Sequence, residues 1–129
     1  MPGELKRVLY LEDDPSIALI TRIAIQDHSD LILQHCASGR EAINAFSDFK
    51  PDLLLFDVML PDMDGLQTLA EIRALEGDTP TPVIFMTAKA QVHEQKKYLD
   101  LGALTVIVKP FDSFTLGKRL KNIWDAKLN

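Results

Sequence analysis

Five short runs rich in apolar residues, at 8–11, 31–36, 53–56, 83–86 and 105–108, alternate with longer stretches of helical period. That alternation constrains the fold more than any other feature. Runs of four to six such residues are too short for a helix but suit strands covered on both faces. Strands that alternate with helices build a parallel sheet, so the expectation is a (βα)₅ domain.

The intervening segments carry helix signals. Pro15 suits a first helical turn, and Ile17, Ile20 and Ala24 follow at helical spacing. Gln34 and His35 interrupt the second run, which predicts a less buried strand at a sheet edge. Ser38 and Glu41 form a capping box that opens a helix predicted through Phe46. Asp64 with Gln67 caps the next, whose predicted buried stripe is Leu66, Leu69, Ile72 and Leu75. The Pro-rich stretch 76–82 reads as a loop. The following helix, about 91–101, is weakly amphipathic, with Val92, Tyr98, Leu99 and Leu101 as its anchors and Gly102 as its terminator. The last helix, 113–125, should turn Leu116, Leu120 and Ile123 inward, and Gly117 within it should cost about 1 kcal/mol relative to alanine.

A chain of 129 residues, 47% apolar and 26% charged, fits one ordinary domain spanning 1–129. One cysteine, Cys36, excludes a disulfide framework and Cys-rich zinc sites. The apolar runs are too short to span a membrane or to form a signal-peptide core, so the chain is expected in the cytoplasm. The net charge of −5 is uneven: residues 1–64 hold 12 acids and 5 bases, residues 65–129 hold 7 acids and 9 bases. No basic face suggests nucleic-acid binding.

The position of the acids matters more than their number. Ligand sites of open α/β sheets lie beyond the carboxyl ends of the strands. There the sequence places Glu12-Asp13-Asp14 after the first run, Asp57 after the third, Thr87 after the fourth and Lys109 after the fifth. Carboxylates gathered at one edge repel, by roughly 3 kcal/mol for a pair about 5 Å apart at an effective dielectric near 20. Such a cluster either raises a pKa or holds a hard cation, and Mg²⁺, which shares its coordination with water and phosphate, suits it. A metal, a lysine and a hydroxyl around one aspartate can make or break an aspartyl phosphate. Asp14 reads as a helix cap, Asp62 and Asp64 as turn and cap residues, and Trp124 as packing. His28, His35 and His93 stand singly, and none is read as a phosphohistidine or metal ligand.

These motifs, namely Glu12-Asp13-Asp14-Pro15, the loop from Asp57 through Pro61 to Asp64-Gly65, Met86-Thr87-Ala88 and Lys109-Pro110-Phe111, together resemble the receiver domain of two-component response regulators. The resemblance runs over about residues 6–125. It implies a flavodoxin-like doubly wound sheet of order 2-1-3-4-5, with Asp57 as phosphoacceptor. Mg²⁺ would be held by Asp13, by Glu12 through water, by Asp57 and by the Met59 carbonyl. Thr87 and Lys109 would meet phosphoryl oxygens, and the bond before Pro110 would be cis. A histidine kinase or phosphotransfer protein would supply the phosphoryl group. Output would pass to a downstream protein through the fourth helix, fifth strand and fifth helix. Beyond its own phosphorylation and dephosphorylation such a domain is no enzyme.

Two departures qualify the resemblance. Val106 stands where many members carry an aromatic residue, so no large side chain is expected to fill the space that Thr87 would vacate. The response is therefore expected in residues 87–102 and around Phe111. Gly102-Ala103-Leu104-Thr105-Val106 also lacks the acidic-aromatic signature of the winged-helix subfamily, so that subfamily's dimer is not implied. Two other classes share the fold: a flavin-binding electron carrier, whose phosphate Glu12-Asp13-Asp14 would repel, and an inert protein-binding platform, which needs no acceptor set.

Overall fold

The computed structural model describes residues 3–77, 79–88 and 91–128. Asp78, in the predicted loop, and positions 89 and 90, within the segment expected to respond, lie outside the described residues. The chain runs β1 (Arg7–Leu11), α1 (Pro15–His28), β2 (Ile32–Cys36), α2 (Gly39–Phe49), β3 (Leu53–Asp57), α3 (Gly65–Leu75), β4 (Val83–Thr87), α4 (Val92–Asp100), β5 (Val106–Val108) and α5 (Ser113–Leu128). The strands form one parallel sheet of order β2-β1-β3-β4-β5.

Side chains alternate across a strand, so each apolar run feeds two cores. Val8, Tyr10, Leu53, Leu55, Ile84 and Met86 pack with α1 and α5 on one face. Leu9, Leu11, Leu54, Phe56, Val83 and Phe85 pack with α2, α3 and α4 on the other. Every residue of β3 and β4 is buried. β2 lies at the edge, with Ile32 and Gln34 exposed, as its polar residues predict.

The helix faces correct several expectations. α1 turns Ala18, Thr21, Ala24 and Ile25 inward, while Ile17 and Ile20 are exposed. α1 packs against both the sheet and α5, and its buried stripe combines three small residues with one isoleucine, Ile25. α2 runs three residues beyond Phe46 and stops at Lys50, whose φ of 53° is left-handed. Its capping box is half formed, because Ser38 accepts from the Glu41 N–H but Glu41 accepts from the Ala37 N–H. α3 has the full Asp64–Gln67 box, yet Leu75, at its last position, is exposed. On α4 only Tyr98 is buried, and Val92 and Leu99, with Leu101 just beyond, are exposed. α5 continues to Leu128 and buries Leu116, Leu120 and Trp124, with Ile123 half-buried. The Trp124 indole N–H donates to the Gly3 carbonyl at 2.8 Å.

Gly117 has a packing reason that helix propensity hides. A Cβ there would stand 3.0 Å from Ser29 Oγ and 3.1 Å from Ser29 Cβ. Ser29 cannot yield easily, since its hydroxyl donates to the Ile25 carbonyl at 2.7 Å and accepts from the Leu31 N–H at 3.3 Å. Overpacking costs about 1–3 kcal/mol, against about 1 kcal/mol gained in helix propensity. Gly117→Ala is therefore expected to lower stability by about 1 kcal/mol. Denaturant midpoints at equal m-value test it, and a stabilised variant would refute the packing argument.

Candidate functional site

Parallel strands bring all their carboxyl ends to one edge, and the order reverses between β1 and β3, which flank each other there. Glu12 follows β1, its N–H donating to the Cys36 carbonyl at 3.1 Å. Asp57 ends β3, in register with Met86. Lys109 follows β5, and its N–H donates to the Thr87 carbonyl at 2.8 Å. The Lys109–Pro110 bond is cis. Asp14 caps α1, accepting from the Ser16 and Ile17 N–H groups.

The Lys109 ammonium bridges the two buried acids, 2.9 Å from Glu12 Oε1 and 2.7 Å from Asp57 Oδ2. Each carboxylate uses its other oxygen on the backbone. Glu12 Oε2 accepts from the Asp14 N–H at 3.3 Å, and Asp57 Oδ1 from the Met59 N–H at 3.1 Å. Glu12 is 1% exposed and Asp57 4%. Asp13 stands exposed at the mouth, and oxygens of Glu12, Asp13 and Asp57 lie within 4.8 Å of one another. Met59 and Ala88 complete a cleft of about 300 Å³. Glycine at 65 lets α3 approach this edge: a Cβ there would fall 2.3 Å from the Asp57 carbonyl oxygen.

Burial pushes the Glu12 carboxyl above its ordinary range, and the nearby Asp57 charge adds to this, while Lys109 and the Asp14 N–H act against it. Burial alone would lower the Lys109 pKa, but its hydrogen bonds to Asp57 and Glu12 and their charges outweigh that and raise it. Three carboxylates therefore face one ammonium, an imbalance that favours a further cation. The donors are all hard oxygens, which suits a small divalent ion such as Mg²⁺.

Sequence reasoning placed Glu12, Asp13, Asp57, Met59 and Lys109 in one cleft, and the structure brings them together. Thr87 is fully buried at the end of β4, and Tyr98 of α4 lies near it: burial raises the Tyr98 hydroxyl's pKa, and Thr87 acts against that rise. Tyr98 is a large side chain that reads in the sequence only as an anchor of α4. Val106 leaves the β5 position without an aromatic ring, but α4 supplies Tyr98 instead, packed 5.6 Å from the Phe85 ring. The available signal was that Tyr98 is the only tyrosine, phenylalanine or tryptophan in the segment 91–101.

The sheet order and the acid-lined carboxyl edge define a chemotaxis-regulator-like α/β domain. The chain belongs to the response regulator receiver domain family, whose family model matches residues 8–121. Receiver domains are the signalling switches of two-component systems. The chain is 40% identical over 111 residues to the regulatory protein AtoC of Escherichia coli strain K12, covering 84% of this chain and 23% of that protein. It is 36% identical over 122 residues to the transcriptional regulatory protein TrcR of Mycobacterium tuberculosis, covering 94% and 46% respectively. It thus spans less than half the length of either relative. Among solved structures, chemotaxis protein CheY4 of Vibrio cholerae superposes with a TM-score of 0.81 at 27% identity, over 92% of this chain and 98% of that one. The receiver domain of a putative LuxO repressor protein from Vibrio parahaemolyticus gives 0.81 at 30% identity, over 95% and 92%. Among the described residues, no helix is long and apolar enough to cross a membrane.

The raised Glu12 pKa has a consequence for stability. Above that pKa Glu12 is ionised in both the folded and unfolded states, and the folded state bears its burial and its repulsion from Asp57. Below the ordinary value of 4.5 it is protonated in both, and the penalty vanishes. Glu12→Gln, with chelator present, is expected to be more stable than the parent at pH 7, because it removes the buried charge while Lys109 keeps Asp57 as its partner. The difference should shrink as the pH falls toward 4. Denaturant melts at the two pH values check this, and a variant less stable at pH 7 would refute it.

Proposed function

We propose that this chain is a single receiver domain that accepts a phosphoryl group on Asp57 in a Mg²⁺-dependent reaction. The Lys109 ammonium bridging Asp57 and Glu12 supports this reading most directly. It holds the Asp57 side chain in place in a cleft otherwise crowded with like charge. One Asp57 oxygen attacks phosphorus, the bond from phosphorus to the donor's nitrogen or acyl oxygen breaks, and the leaving group keeps the electron pair. Asp13, Asp57 and the Met59 carbonyl would hold the metal, with Glu12 acting through water, and the metal when bound neutralises charge on the phosphoryl oxygens. Lys109 would exchange a carboxylate oxygen for a phosphoryl oxygen, and Thr87 would bond another. Water then hydrolyses the acyl phosphate, which resets the switch.

A histidine kinase or phosphotransfer protein is the proposed donor. An open groove of about 320 Å³, lined by Ile17, Ile20, Pro110 and Phe111, shares Ile17, Ala88 and Lys109 with the acid cleft. A protein donor that reaches Asp57 would cover this apolar surface. The downstream partner is proposed to read the face of α4, β5 and α5.

Acetyl phosphate is expected to add one phosphoryl group by intact mass when magnesium is present, and none after chelation. An Asp57→Asn variant that is still labelled would remove the assignment. The label should also vanish at alkaline pH, as an acyl phosphate does.

Thr87 neighbours Tyr98, the one buried side chain of α4, so drawing Thr87 toward a phosphoryl oxygen would disturb the seat of that helix. A hydrogen bond to a charged group contributes about 1.5–3 kcal/mol, enough to shift a two-state segment about ten- to a hundredfold. Hydrogen exchange with and without beryllofluoride, a phosphoryl mimic, should therefore change most across 91–102 and the adjoining Phe111 surface. Changes confined to α1 and α5 would place the output elsewhere.

A further inference from the structure

We propose that His35 is a positioning residue that clamps the peptide between Glu12 and Asp13, so that both carboxylates stay aimed into the cation cleft. The inference rests on the receiver reading and concerns a residue with no part in the phosphoryl chemistry. His35 is half-buried near the end of the edge strand β2, in register with Tyr10 on β1. Its ring lies 5.7 Å from the Tyr10 ring, so packing sets its orientation. Nε2 stands 2.8 Å from the Glu12 carbonyl oxygen. A carbonyl only accepts, so Nε2 must carry the hydrogen, and the ring donates to it.

The Glu12 N–H is already bonded to the Cys36 carbonyl, at 3.1 Å. The last two residues of β2 thus hold both main-chain sides of Glu12, from across β1 relative to Asp57. The carbonyl belongs to the same rigid peptide plane as the Asp13 N–H. Rotation of that plane would swing Asp13 away from Asp57 and relieve the repulsion within the acid cluster. Beyond Leu11 no further β1–β3 pairing opposes this rotation. His35 opposes it with one directed hydrogen bond.

Three variants test the clamp. His35→Phe keeps a ring against Tyr10 but removes the donor, His35→Gln restores an N–H donor at similar reach, and His35→Met offers length without a donor. Magnesium affinity of the unphosphorylated protein is measured by calorimetric titration, and chelated samples are melted in parallel. The Phe and Met variants are expected to bind magnesium about tenfold more weakly, with Gln back within about threefold of the parent. Melting of the chelated Phe variant should stay within a few degrees of the parent. If the Phe variant does not fold, the Gln and Met pair decides. Equal affinity in parent, Phe and Met, or a Gln variant as weak as Met, would overturn the clamp alone. A parent with no magnesium response would overturn the metal-dependent reading beneath it, and the clamp with it.

Discussion

The ion cluster of Lys109 with Glu12 and Asp57 is the interaction on which the rest of the site depends. Two carboxylates buried this deeply are unfavourable unless each oxygen is paired, and each has one bond to the ammonium and one to a backbone N–H. The three residues come from β1, β3 and the end of β5, up to 97 positions apart. Only a parallel sheet brings those ends to one edge. The fold is therefore a precondition of the cluster, while the cluster weakens the fold locally through the burial and repulsion that raise the Glu12 pKa.

The strands were legible because burial on both faces leaves little freedom in composition. β3 and β4 have no exposed residue, so their sequences are apolar up to the polar residue that ends each. The acid, hydroxyl and base positions could be read for the same reason. Helix faces were less legible. α1 carries apolar residues around most of its circumference, and sequence period alone cannot say which stripe faces in. The inward stripe has the small residues Ala18, Thr21 and Ala24, selected by close approach to α5. Gly117 shows the same constraint from the other helix, since its defect in propensity makes sense only with Ser29 against it.

Pairings between distant elements were not legible at all. Tyr98 reads as a generic anchor of α4, and His35 as a polar interruption of an edge strand. Their meaning lies in their partners, Thr87 and the Glu12 carbonyl, and those depend on register and helix placement. In each case a side chain outside the resemblance's site set engages a member of that set. The absence of an aromatic at Val106 was visible in the sequence, but its replacement from α4 required the fold.

Rigidity is distributed unequally over the two faces of the sheet. On one, α1 and α5 meet closely through Gly117 and Ser29, and Trp124 ties the N-terminal segment down through the Gly3 carbonyl. On the other, α4 is held by one buried side chain, Tyr98, packed 5.6 Å from the Phe85 ring. Elements with few buried contacts open at the lowest free energy. A perturbation at the carboxyl edge therefore meets a firm base on the α1–α5 side and a soft one on the α4 side. Had α4 been anchored by a full apolar stripe, a shift at Thr87 would meet many contacts that oppose it. With Tyr98 as its single buried anchor, the helix offers little resistance to the same shift.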